Sequence, residues 1–363
     1  MAKIKFGLIG CGQIARCNHV PEINGIGKDS AEIVALYDIK KGKAEEFAKD
    51  MGLQAKICKS EKEILAEDLD AIIIATPNCF HYPQTIAALN AGKHVLVEKP
   101  MASRVEDADE MIDLAEKKGL ILQVNQSLRF IPLYAEIKKR VAAGAIGKPM
   151  HVRCLRAATS SPDVGWSKGA TWFVQKKYEG SLVTDIAVHM ADAMQWYFGP
   201  VAGIQSVNRC LDHEVPDNVN VLFDYANGAT GVLQLSWTFP VGGGALELYG
   251  DEGMLRTTDS GFEIVRVKPQ KETIVVNGGD IPVPINSHEL FVERLNGKVT
   301  EDKPWEIGRS ALALCCAINE ASEKQALAVP CNRVEKASVK KVSCKKAAAK
   351  KAPAKKAASK AKK

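Results

Sequence analysis

The chain has 363 residues, 46% apolar and 25% charged, ordinary for soluble globular proteins and enough for two domains. No apolar run approaches the roughly 18 residues needed to cross a bilayer, which excludes a membrane-spanning helical protein. The formal charge of +6 misleads: residues 336–363 carry twelve lysines and no acid, so the remainder stands at −6 and the basic balance belongs to that tail.

The start runs straight into a strand at Lys5–Ile9, with an apolar part too short for a secretory segment, so a cytoplasmic protein is expected. The ten cysteines form no C-x-x-C pair and read as reduced thiols. The seven histidines show no metal-ligand spacing, and no metal is expected. Gly10-Cys11-Gly12-Gln13-Ile14-Ala15 follows the first strand as G-x-G-x-x-A and opens a helix. The first glycine permits the tight turn and the second lets backbone approach a pyrophosphate. The small Ala15 lets helix pack on strand, and the helix amides at Gln13 and Ile14 face the phosphates. A second strand, Glu32–Tyr37, ends in Asp38, placed where such a loop wants an acid for ribose hydroxyls. A free carboxylate there repels a 2′-phosphate and favours NAD; Lys40 and Lys41 leave NADP open.

The alternation continues with a helix over about 40–51, a strand near 54–58, another helix, and a buried strand over Asp70–Ala75. Thr76, Pro77, Asn78 and His81 lie at the carboxyl end of that strand, beside the crevice where open α/β sheets bind ligands. His81 opens a helix to about Ala91. Then Val95-Leu96-Val97 reads as a strand buried on both faces, carrying Glu98 and Lys99 at its end, where Pro100 stops it. A lysine held there beside a carboxylate is a candidate for proton exchange, since burial lowers an ammonium pKa. The tripeptide alone also fits a plain surface ion pair. A helix over 104–118 and a strand over Leu120–Val124 complete six strands alternating with helices, a doubly wound parallel sheet.

After Asn125 the rhythm changes. Arg129 precedes a helix to about Ala143, and Met150–Arg156 is a strand. An irregular stretch follows with Trp166, Trp172 and Tyr178, whose aromatic faces suit a sugar pocket and equally suit loop packing. From Gly180 a helix carries Asp185, His189 and Asp192, the first two at i and i+4 on one face. Strands dominate 201–276 and point to an antiparallel sheet; helices near 286–296 and 306–325 close the fold. The tail repeats paired lysines every five residues with no core-forming pattern and is expected to be disordered.

Four motifs in order, Gly10-x-Gly12-x-x-Ala15, Thr76-Pro77-Asn78-x-x-His81, Glu98-Lys99-Pro100 and Gly180-x-Leu182-x-x-Asp185-x-x-x-His189-x-x-Asp192, resemble the Gfo/Idh/MocA family of NAD(P)-dependent oxidoreductases, named for glucose-fructose oxidoreductase and inositol dehydrogenase. The resemblance covers about residues 3–330. It implies an NAD(P)-binding Rossmann domain over 1–125 and a substrate-binding α+β domain with an open, mostly antiparallel sheet over 126–335, whose last helix packs back on the first domain. The tail, 336–363, has no counterpart. The resemblance makes Lys99 the catalytic lysine, Asp185 and His189 the substrate-side pair, and Pro77 and Glu98 contacts of the nicotinamide ribose region. It implies a homodimer or homotetramer through the C-terminal sheet. Glu179-Gly180-Ser181 departs from the consecutive glycines usual in the family.

The chemistry agrees. Oxidising a secondary alcohol removes a hydride from carbon, which the nicotinamide takes, and a proton from oxygen, for which the protein supplies a base. Lys99 and His189 are assigned jointly to that proton, with their order open; histidine titrates near 6.5 and suits the task. The expected function is therefore oxidation of a cyclic polyol or sugar derivative with NAD or NADP. Two alternatives stand beside it: an NAD-dependent glycosidase of the same family, and a dinucleotide-binding regulator whose lysine tail contacts nucleic acid through counterion release.

Overall fold

The computed structural model describes residues 3–300 and 303–331; the lysine tail lies outside the described residues. The first layer alternates β1 (Ile4–Ile9), α1 (Val20–Ile26), β2 (Ala31–Tyr37), α2 (Lys43–Met51), β3 (Lys56–Ile57), α3 (Glu61–Leu65), β4 (Ala71–Ile74), α4 (His81–Asn90), β5 (His94–Glu98), α5 (Val105–Lys118) and β6 (Leu122–Asn125). All six strands are parallel, in the order β3-β2-β1-β4-β5-β6. The winding reverses between β1 and β4, which opens a crevice at the carboxyl ends of those strands. The strand expected near 54–58 shrinks to two residues, because β3 lies at the sheet edge and pairs only with β2.

Period-two alternation sorts the strand side chains between two cores. Phe6, Leu8, Ile73 and Leu96 face α1 and α2; Ile72, Ile74, Val95 and Val97 face α4 and α5. Both faces are apolar because helices cover both, as parallel sheets require.

The second sheet contains β7 (Pro149–Ala157), β8 (Val201–Arg209), β9 (Asn218–Tyr225), β10 (Thr230–Ser236), β11 (Gly243–Gly250), β12 (Gly253–Thr258), β13 (Gly261–Arg266) and β14 (Glu272–Asn277). Its order is β14-β13-β12-β11-β7-β10-β9-β8. Neighbours are antiparallel except β7 and β10, which run parallel at the centre. The long excursion from β7 through a loop and α7 (Val188–Phe198) returns the chain to the sheet edge, and the meander β8-β9-β10 then arrives beside β7. One face packs on α6 (Pro132–Ala142), α7 and α9 (Glu306–Lys324). The other leaves Val207, Leu222 and Val275 exposed.

The last two helices return to the first layer. α8 (Ser287–Leu295) buries Phe291 against Phe6, ring centroids 6.1 Å apart, closing the α1 face of the parallel sheet. Burying a phenylalanine contributes about 1.5–3 kcal/mol. α9 touches both layers, with Leu312 and Ala313 beside Val124, and Ala311, Leu314 and Ile318 in the second core. Arg309 adds a two-pronged contact to Asp109 on α5 at 3.1 Å. Among the described residues no helix is long and apolar enough to cross a membrane.

Gly308 marks the tightest approach of α9 to β6, where an added β-carbon would collide with Val124. Gly308→Ala should therefore cost about 1–3 kcal/mol through overpacking. Thermal unfolding should show a clearly lower midpoint, and an unchanged midpoint would mean that the helix is free to shift.

Candidate active site

A single cleft of about 1090 Å³ runs from the glycine loop to the edge of the second sheet. Ligand pockets usually measure about 300–1,000 Å³, so this one is large enough for an extended ligand and a small partner. At one end Gly10 turns the chain with φ +96, and a β-carbon there would strike the Ala75 carbonyl. Gly12 faces open space, so backbone can approach a ligand closely. Asp38 is held at the β2 end: its carboxylate accepts the Cys11 N–H at 2.9 Å and the Lys40 N–H at 2.9 Å. That fixes it to the phosphate loop while free lone pairs remain on both oxygens.

Gly10, Gly12, Gln13, Ile14, Asp38, Thr76, Pro77, Asn78, Glu98 and Lys99 all line the cleft. His81 is not among the residues that line it. It is buried, with Nδ1 2.7 Å from the Pro100 carbonyl and Nε2 2.8 Å from that of Thr76. Burial pushes its pKa down, so the neutral ring donates to one carbonyl at a time and ties the end of β4 to the end of β5. Asn78 lines the wall, but its amide donates to the Glu179 carbonyl at 3.0 Å and to Thr184 at 3.2 Å. Glu179 itself has φ 59, in the left-handed region, which accounts for the glycine usual there.

Glu98 and Lys99 leave β5 on opposite sides. Glu98 keeps the register of Leu96 and points to the α1 and α8 side. Its Oε1 lies 2.6 Å from the Asn125 amide and 3.1 Å from His19 Nε2. His19 Nδ1 in turn meets His288 Nε2 on α8 at 2.7 Å. Burial raises the Glu98 pKa, but His19, Asn125 and Lys99 outweigh it and leave the carboxyl below its ordinary value.

Lys99 turns the other way and donates to Asp185 twice, to the backbone carbonyl at 2.9 Å and to Oδ1 at 3.0 Å. Asp185 sits on a π-helical turn, Val183–Ala187, that leads into α7; His19 ends another, Ala15–His19, that leads into α1. Such wide turns recur at functional sites. One turn of α7 further on, His189 lines the same cleft. Burial pushes the His189 pKa well below 6.5, and the charges of Lys99 and Arg156 push it further, so the imidazole is neutral. Asp185 Oδ2 and His189 Nδ1 are sealed from solvent with no hydrogen-bond partner among the described residues. Buried polar atoms left open in this way mark a site that a ligand completes.

Asp192, on the same helix, does not reach the cleft. It is fully buried and takes both prongs of Arg129 at 2.7 and 2.8 Å, with the guanidinium over the Trp196 ring. Arg129 therefore braces α7 against the segment that precedes α6. Trp166, Trp172 and Tyr178 do line the cleft, with Trp172 stacked on Phe173 at 3.7 Å between centroids. Four participants escape a reading of the sequence alone. His19 and His288 lie 269 positions apart, with no local pattern linking them. Trp237 follows β10, and Arg156 is the last residue but one of β7, in the register of Val152 and Cys154.

The glycine loop, the tethered Asp38 and the open polar atoms fit a dinucleotide lying along the crevice with its reactive end beside Lys99. A chain built this way is an NAD(P)-dependent dehydrogenase acting on CH–OH groups. Residues 4–126 match an oxidoreductase family with an NAD-binding Rossmann fold, and residues 134–256 match the GFO/IDH/MocA C-terminal domain. The chain belongs to the GFO/IDH/MocA family. It is 28% identical to 1,5-anhydro-D-fructose reductase of Ensifer adhaerens over 79% of this chain and 84% of the relative. It is 26% identical to scyllo-inositol 2-dehydrogenase (NAD(+)) of Bacillus subtilis over 70% and 73%. A solved NAD-binding protein from Listeria innocua superposes with TM-score 0.78 at 26% identity, covering 90% of this chain and 97% of that one.

His81, His189 and His288 are all buried and held below 6.5, His288 also by neighbouring His19. On unfolding each regains an ordinary value, so below 6.5 the unfolded chain binds more protons and stability falls with pH. The melting midpoint should drop steadily as pH falls through 6.5. A midpoint flat down to about pH 5 would contradict three neutral buried rings.

Proposed function

We propose that this chain oxidises a secondary alcohol of a cyclic polyol or sugar derivative, using NAD, with Lys99 and His189 handling the alcohol proton. The observation that carries the reading is the Lys99–Asp185 pair set beside a neutral, buried His189 on one wall of the dinucleotide cleft. The printed activities of the Ensifer and Bacillus relatives, on an anhydro-sugar and an inositol, support the substrate class.

When bound, the dinucleotide supplies the hydride acceptor. The ammonium of Lys99 has three donors, and two are spent on Asp185, which leaves one for the substrate oxygen. That contact positions the hydroxyl and stabilises charge that develops on oxygen as the proton leaves. His189, kept neutral by burial and by two cations, accepts the proton as the carbonyl forms. Asp185 holds the lysine in place. The first 125 residues hold the dinucleotide and residues 126–335 supply the substrate wall. Asp38 disfavours a 2′-phosphate, though Lys43 stands 3.4 Å from it.

The test is a panel of inositols, hexoses and nucleotide sugars, followed by NADH absorbance. NADH should accumulate in step with ketone product. Lys99→Ala and His189→Ala should each lower kcat by about 10²–10⁴-fold, with NADH affinity retained. Product formed without net NADH would instead mark a transient hydride and sink the proposal.

We further propose a homo-oligomer assembled through the bare face of the second sheet, a second copy covering Val207, Leu222 and Val275. Light scattering after size exclusion should give a dimer or tetramer, and Leu222→Arg should shift it toward monomer. A wild-type monomer at micromolar concentration would refute this.

A further inference from the structure

We propose that Glu179 is a positioning residue, which clasps the substrate wall to the dinucleotide half and so aligns Asp185 with Lys99. The proposal rests on the dehydrogenase reading for the reaction it serves. It goes beyond that reading in naming a residue outside the cleft lining on which the reaction depends.

It starts from the backbone. Glu179 has φ 59, a left-handed conformation that glycine adopts freely and a β-carbon strains. Among the described residues Gln325 is the one other non-glycine residue with positive φ, and it caps the long helix α9. Glu179 closes only a single short turn, Lys176–Tyr178. Next to it Gly180 is buried, and a β-carbon there would strike the carbonyls of Trp172 and Phe173, so the chain cannot relax on that side. Such an outlier persists where its surroundings over-determine it. Here the dinucleotide half does so twice. The Asn78 amide, beyond the end of β4, donates to the Glu179 carbonyl at 3.0 Å, and Ser103 Oγ, beyond the end of β5, donates to the Glu179 carboxylate. On the substrate side the Thr184 hydroxyl meets the same carbonyl at 3.2 Å.

Two short segments therefore meet at both ends. The first runs from Lys99 to Ser103 and contains Met101 and Ala102, both 0% exposed. The second runs from Glu179 to Asp185 and contains Leu182 and Val183, also 0% exposed. Close-packed segments of this kind transmit position because they have little room to flex. Ser181 stiffens the second: its hydroxyl accepts the Thr184 N–H at 3.1 Å and its carbonyl the Asp185 N–H at 2.9 Å. The Lys99–Asp185 pair stands at one end and the Ser103–Glu179 bond at the other. A single contact acts as a pivot, whereas two fix an angle as well as a distance. The Ser103 bond is exposed to solvent and adds little to stability, so its use lies in alignment. Glycine at 179 would relieve the backbone and take away the carboxylate that Ser103 holds.

The full-length protein should be compared with Ser103→Ala, Glu179→Gln, Glu179→Gly, Glu179→Ala and the double variant Ser103→Ala/Glu179→Ala. Turnover is followed as NADH formed from the fastest member of the inositol, hexose and nucleotide-sugar panel, and NADH affinity by fluorescence titration. Ser103→Ala and Glu179→Ala should each lower kcat about 10-fold or more, with KM and NADH affinity within about threefold of wild type. The double variant should be no slower than the slower single, because both remove one bond. Glu179→Gln, whose amide oxygen still accepts from Ser103, should keep about half of kcat or more. Glu179→Gly should lose kcat as the alanine does yet melt within about 2 °C of wild type, since it sheds the backbone strain. Hydrogen exchange read by mass spectrometry tests the clasp without turnover. Ser103→Ala should speed exchange over residues 180–188 about threefold or more, and Glu179→Ala should do the same over residues 99–104. Should Glu179→Ala not fold, Ser103→Ala and Glu179→Gln leave the backbone alone and still decide. Exchange unchanged across the clasp, a loss confined to KM, or kcat losses that multiply in the double variant overturn the proposal and leave the dehydrogenase reading standing. Exchange that responds while no member of the panel gives NADH supports the clasp and sinks the dehydrogenase reading.

Discussion

The site depends on one property of a β-strand, that neighbouring side chains leave it on opposite sides. Glu98 and Lys99 are consecutive, so the end of β5 sends an acid into one core and a base toward the cleft. Adjacent opposite charges would ordinarily neutralise each other. Here the strand separates them, and each meets a different partner. Glu98 finds His19 and Asn125; Lys99 finds Asp185. The pair therefore acts as a divider that gives the lysine a fixed direction.

His19 and Asp185 both come from wide helical turns at the start of longer helices. A π turn brings the side chain on the next residue round by less than the usual angle, which lets a helix tuck one polar group inward without turning its apolar stripe. The arrangement also leaves polar atoms open. Asp185 Oδ2 and His189 Nδ1 are enclosed and unpartnered, and such atoms cost free energy in the unliganded protein.

Much of this was legible in the residues. The apolar runs of β4 and β5, the glycine loop and the acid after β2 follow local rules of period and turn chemistry, and the parallel sheet follows from their alternation. The charged pair before Pro100 announced a strand end. What stayed hidden depends on distant pairing. Nothing near His19 says that it meets His288, and Asp192 shares a helix face with candidates while holding Arg129. His81 sat in the right motif at the right strand end, yet its ring lies between two backbone carbonyls behind the wall. Arg156 could have been found: two steps along a strand from Cys154 and Val152, it breaks an inward apolar row. The parallel β7–β10 pair could not, since the order of strands in a meander is decided by where the crossover lands.

The return of α8 to the first layer bears on how the chain is made. Phe6 and the row of side chains beside it are roofed in part by Phe291, and the buried string that begins at Glu98 ends on His288. A ribosome that has released only the first six strands has delivered a sheet with part of one side bare. That side is shut only after Leu295 has emerged. Until then the nascent polypeptide carries an adhesive surface for nearly half of its synthesis, a natural station for a chaperone that recognises exposed aromatic and aliphatic groups.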